Sequence, residues 1–144
     1  MDPYEKFTYW ENKAIYDIET SKAMLQTGRY TYVAFMAQQA VEKIVKGLYV
    51  LYTDREPVRT HNIWTIFKEL MEEETFRDQN GNLFEKVGKY KPFFSDLLFY
   101  YIAERYPDYK QQLSSNLTEI RAKEVLNKAE EVFAWLQSLS RYKS

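Results

Sequence analysis

The chain has no cysteine and a single histidine, His61. Without thiols it can build no disulfide framework, thiolate zinc site, iron–sulfur cluster or cysteine nucleophile. One imidazole excludes any site that needs two. Glycine and proline are also scarce, four of each in 144 residues. No apolar run approaches the ~18 residues of a membrane span; the longest is residues 97–103. The opening Met1-Asp2-Pro3-Tyr4-Glu5 has neither the basic start nor the apolar stretch of a signal peptide. Neither sign of charge dominates: 20 Lys+Arg stand against 21 Asp+Glu, for a formal −1. Global electrostatics therefore make no case for nucleic acid. Also missing are a glycine-rich phosphate loop, a Gly-x-Ser-x-Gly elbow, a His-Glu-x-x-His pair and an Asp-rich calcium loop. The expectation is a cytoplasmic protein of one domain over residues 1–144, without membrane contact, metal or cofactor.

What is present is helical periodicity. Phe7, Trp10, Ala14, Ile18 and Leu25 fall on one helical face, and Gly28 suits the left-handed residue past its end. From about residue 30 to 52, Val33, Ala37, Ala40, Ile44, Leu48 and Leu51 form one stripe, with Ala34, Val41, Val45 and Tyr52 beside it. So broad an apolar arc predicts a central helix with neighbours on two sides. A shorter helix is predicted over about 63–74, capped by Thr60 or Asn62. Residues 75–90 read as a loop or frayed extension. The next helix is expected to begin at Pro92 and end before Pro107. The last is expected near Asn116, with Asn116 and Glu119 spaced as a capping box. Ala122, Val125, Ala129, Val132, Leu136 and Leu139 make its inner face. No segment alternates with period two. The fold class is all-α: an up-and-down bundle of four long helices and one shorter one.

Four groups of residues bear on chemistry. Gln39, Glu42, Lys43 and Lys46 lie on adjoining turns of the most apolar helix; they form either a solvated strip, with Glu42 and Lys46 paired four apart, or a polar seam facing a cleft or partner. His61 could be a general acid or base, or a capping residue that bonds a backbone carbonyl; a helix start disfavours its imidazolium. Arg105 is either a cation answering its helix dipole, with Tyr106 and Tyr109 packing the turn, or a planar guanidinium for phosphate. The aromatics Tyr49, Tyr52, Tyr90, Phe94, Tyr100 and Tyr101 are either a base-stacking platform or, better, core and interface. Glu72, Glu73 and Glu74 read as a solvated helix end.

In order, these residues resemble the HEPN family (higher eukaryotes and prokaryotes nucleotide-binding domain), as a stand-alone prokaryotic member. The pieces are Trp10, Ala14 and Asp17-Ile18; Ala23-Met24-Leu25 with Gly28 and Tyr30; and Phe35-Met36-Ala37-Gln38-Gln39-Ala40-Val41-Glu42-Lys43 with Lys46. Thr60-His61-Asn62-Ile63 follows, then Tyr100-Tyr101-Ile102-x-x-Arg105-Tyr106-Pro107-Asp108, and last Ala129-Glu130 with Phe133 and Trp135-Leu136. The resemblance implies a helical bundle, usually a homodimer, and frequent partnership with a small nucleotidyltransferase in two-component, often toxin–antitoxin, modules. Many members are metal-independent ribonucleases whose motif is an arginine and then, after four to six intervening residues, a histidine. Arg105 takes the arginine position. The histidine positions are Lys110, Gln111 and Gln112, so the catalytic histidine is missing. A variant motif has a modifiable tyrosine two beyond the histidine; here that position is Gln112.

The expected function is therefore a non-catalytic module that binds a nucleotide, an RNA or a nucleotidyltransferase. Arg105 would contact phosphate, and Lys46, Lys43, Gln39 and Tyr106 would line the same cleft. The alternative is a ribonuclease in which His61 serves with Arg105. A third possibility is a dimer whose cleft is only an interface, marked by an Arg105 occupied by Asp108 or Glu104.

Overall fold

A computed structural model describes residues 1–140 as seven helices joined by short links, with no strand among them. Helix α1 covers Pro3–Gln26. Asp2 caps it: its carboxylate accepts from Glu5 N at 2.8 Å, and Glu5 returns the contact to Asp2 N. Proline at the first helical position completes that start. Gly28, at φ +75°, closes the far end as expected. The chain then turns directly into α2, Tyr30–Thr53.

Helix α2 is the centre of the molecule. Every residue of both predicted stripes is buried. It packs against α1 along its length and against the later helices on its other side. Gly47 sets how closely α1 approaches, because a Cβ there would lie 2.9 Å from Trp10 Cβ and 3.1 Å from the Phe7 ring. Polar groups are buried at this contact too. Ser21 donates to Val33 O at 2.8 Å, and Lys43 pairs with the buried Asp17.

After α2 the backbone runs irregularly to α3, Ile63–Met71, which is shorter than the sequence suggests. Asn62 occupies its cap position, but its side chain makes no capping bond. The stretch read as a loop is mostly helix: α4 is Glu74–Gln79, and α5 runs Leu83–Arg105 straight through Pro92. The inner face of α5 explains this. Leu83, Val87, Tyr90, Phe94, Leu97 and Tyr101 recur at steps of four and three and are all buried. Pro92 and Gly88, whose carbonyl the proline ring deprives of its bond, both face outward. Water can satisfy that carbonyl, so burial of the opposite face outweighs the proline's cost.

Helix α5 stops before Pro107 as expected, but Pro107 opens a further helix, α6, Pro107–Asn116. The capping box assigned to Asn116 and Glu119 is therefore wrong. Asn116 is the last residue of α6, bonded to Gln112 O, and Thr118 caps α7, Glu119–Ser138, by accepting from Arg121 N at 3.3 Å. The predicted inner face of α7 is buried throughout. The four long helices are α1, α2, α5 and α7; three short ones, rather than one, complete the described residues. No helix among these residues is long and apolar enough to cross a membrane.

Candidate functional site

The site begins on α2, where Gln38, Glu42 and Lys46 follow one another at steps of four. Of the expected strip, Glu42 is buried at 3% exposure, while Gln39, Lys43 and Lys46 are half-buried; Gln38, beside them, is fully enclosed. A carboxylate taken from water needs donors on its oxygens, and Glu42 has three. Oε1 accepts from Gln38 Nε2 at 2.8 Å and lies 2.9 Å from His61 Nδ1; Oε2 accepts from Lys46 Nζ at 2.9 Å. Gln39 Nε2 donates to Gln38 Oε1 at 2.6 Å. The expected Glu42–Lys46 pair thus exists, but as part of an internal network.

His61 stands at the end of the irregular link before α3. It is not a cap. Its ring meets Glu42 through Nδ1, and its backbone carbonyl accepts from Gln38 Nε2 at 3.3 Å. The ring also stacks on Tyr101 of α5, with centroids 4.0 Å apart and planes 21° apart. Phe35 of α2 stacks on the same tyrosine at 6.0 Å.

One turn on, at the end of α5, the guanidinium of Arg105 lies 4.8 Å from the Tyr101 ring centroid. Tyr101 therefore supports both groups, which keeps Arg105 Cζ within roughly 9 Å of the imidazole centre. Arg105 is exposed. No carboxylate among the described residues pairs with it: Glu104 is taken by Lys110 at 2.9 Å, and Asp108 makes no ion pair. An occupied arginine, the mark of a purely structural interface, is not what the structure has.

The other expected residues are placed as follows. Lys46 borders the site, but its ammonium is committed to Glu42. Lys43 reaches away to Asp17 on α1. Gln39 supports Gln38 and comes no closer to Arg105 through any contact. Tyr106, 56% exposed, meets Tyr109 edge to face at 6.2 Å beside Arg105. Lys110, in the first of the histidine positions, is a fixed cation. Its hydrogen bond to Glu104 raises its pKa above the ordinary lysine value, so it offers no base. Tyr49, Tyr52, Tyr90, Phe94 and Tyr101 are buried and form no open stacking platform. Burial first, and Glu131 second, push the Tyr90 hydroxyl up to about 12. No cluster of three or more His, Asp or Glu suited to a metal occurs among the described residues.

Phe35 and Gln38 belong to the site although the sequence reading assigned them no role. The step-of-four spacing of Gln38, Glu42 and Lys46 was the available signal for one of them.

Residues 7–139 match the family model of the HEPN domain. No curated protein and no solved structure matches the chain. The match takes in the α2 seam, His61, Tyr101 and Arg105 alike, and the family is one of nucleotide-binding and ribonuclease-type modules. With nearly all of its helices inside that match, the chain belongs to the HEPN domain family.

Proposed function

We propose that this chain is a non-catalytic HEPN-type module that binds RNA or nucleotide phosphate at the surface formed by Arg105, Tyr101 and His61. One observation carries the reading: Arg105 is exposed, free of any described carboxylate, and held on an aromatic face. A guanidinium so placed presents its fork of donors to phosphate oxygens. The absence of a base at the histidine positions fits binding without cleavage. The proposal further takes the chain to be cytoplasmic, as its composition suggests, and, by analogy with the family, a homodimer partnered by a small nucleotidyltransferase in a two-component, toxin–antitoxin-like system.

Anisotropy titrations with a short labelled RNA test the phosphate contact. Arg105→Ala is expected to weaken binding about tenfold or more and to lower the salt slope by about one. The melting curve should not move, since the side chain is exposed. Unchanged affinity in this variant rejects the assignment.

A second reading, metal-independent cleavage of RNA with His61 in the missing histidine's role, is favoured by the ring that His61 and Arg105 share. It requires that wild-type protein cut a labelled RNA and that His61→Ala lose the activity. RNA left intact by prolonged incubation with wild type rejects it.

A further inference from the structure

His61 is held twice by α2: at its carbonyl by Gln38 and at its ring by Glu42. The direction of the ring bond follows from the network. Gln38 Nε2 and Lys46 Nζ are both donors, and both point at Glu42. A carboxylate so surrounded has no proton to give, so the proton between Glu42 and His61 belongs to the imidazole. The neutral ring therefore carries hydrogen on Nδ1 and an open lone pair on Nε2. That second nitrogen makes no hydrogen bond among the described residues. The side chain is 45% exposed, and Tyr101 stacks on the ring. The result is a fixed hydrogen-bond acceptor, aimed by a buried carboxylate, close to a free guanidinium.

We propose that Glu42 is a positioning residue that keeps His61 in this tautomer, so that Nε2 accepts a hydrogen bond from the 2′-hydroxyl of a ribonucleotide whose phosphate Arg105 holds. The proposal rests on the phosphate-binding reading of Arg105 and adds to it a choice of RNA over DNA. The 2′-hydroxyl is a donor on the sugar that carries the phosphodiester, and DNA has only hydrogen at that position. Donors on the bases lie at the far side of the sugar and differ from base to base. A contact there would select sequence, not sugar.

The test uses the whole chain with a five-nucleotide oligouridylate and its 2′-deoxy counterpart. Because His61 is the only histidine, its ring nitrogens can be read in a long-range proton–nitrogen NMR spectrum without assignment. The neutral ring is expected to show Nδ1 protonated. The RNA strand is expected to bind about fivefold more tightly than the DNA strand, as one neutral hydrogen bond allows. Glu42→Gln is expected to mix the tautomers and bring the ratio towards one, because one amide cannot accept from both the lysine and the ring. His61→Ala, at a half-exposed position, removes the ratio without removing the phosphate contact. Should Glu42→Gln fail to fold, the wild-type spectrum and the His61→Ala ratio decide alone. A ring protonated on Nε2, a wild-type ratio near one, or a ratio that survives His61→Ala overturns the proposal. Arg105→Ala, measured in parallel, separates the two levels. If it weakens both strands while the wild-type ratio is one, only the hydroxyl contact fails; if it weakens neither, the phosphate reading fails and takes the hydroxyl contact with it.

Discussion

Replacing Glu42 with alanine is expected to cost about 3–5 kcal/mol of folding stability, the range for removing one partner of a buried ion pair. Three hydrogen bonds are lost together, from Lys46 Nζ, Gln38 Nε2 and His61 Nδ1, and of these donors Gln38 alone keeps another acceptor, the His61 carbonyl. The lysine matters most, since its side chain is only 13% exposed and no other described carboxylate pairs with it. Against a total of about 5–15 kcal/mol for an ordinary domain, this is a large fraction. Urea denaturation measures it directly. A second variant locates the cost: Lys46→Met added to Glu42→Ala removes the orphaned charge and should restore a good part of the loss. A fall of less than about 1 kcal/mol in the single variant would place the seam among solvated surface pairs.

Phe67→Ala is expected to destabilise by a comparable amount, about 3–5 kcal/mol, for a different reason. Phe67 is fully buried on α3 and touches rings from three other helices: Phe76 of α4 and Phe94 of α5, each at 5.9 Å, and Trp135 of α7 at 5.8 Å. Truncation leaves a cavity where these elements converge, and rings locked against one another collapse poorly into it. A shift in the thermal or urea midpoint reports the loss. Phe84→Ala serves as the control, because Phe84 is 70% exposed and its removal should stay within about 0.5 kcal/mol. Equal midpoint shifts for the two variants would contradict the burial that separates them.

The four long helices were legible because each buries a stripe that repeats at helical spacing. The width of the apolar arc on α2 also identified it as central. The second half of the chain is less legible. At Pro92, a local rule about where prolines sit competed with the periodic run from Leu83 to Tyr101, and burial of that run prevailed. At Asn116, an apparent capping box was only the tail of α6, and the true cap lay two residues on at Thr118. Arg105 could be singled out from its place at a helix end before a proline. Its freedom from a counterion could not, because Glu104 and Asp108 are equally near in sequence and only the fold turns Glu104 to Lys110. His61 was harder still. Its partner lies 19 residues upstream on α2, brought there by an irregular link whose path no periodicity describes.

The central position of α2 also governs how the chain must be made. Its first neighbour, α1, precedes it and needs only the short turn through Gly28 to pack, a closure of low entropic cost. Its other flank waits for α5 and α7. The Tyr52 hydroxyl finds its acceptor, Leu139 O, 87 residues later. During synthesis the part of that flank that α7 covers stays open until residues 122–139 have left the ribosome. Part of the apolar row that ends as a well-protected face of the molecule is thus open in the nascent chain until its last helix emerges, and offers a chaperone an apolar surface to hold.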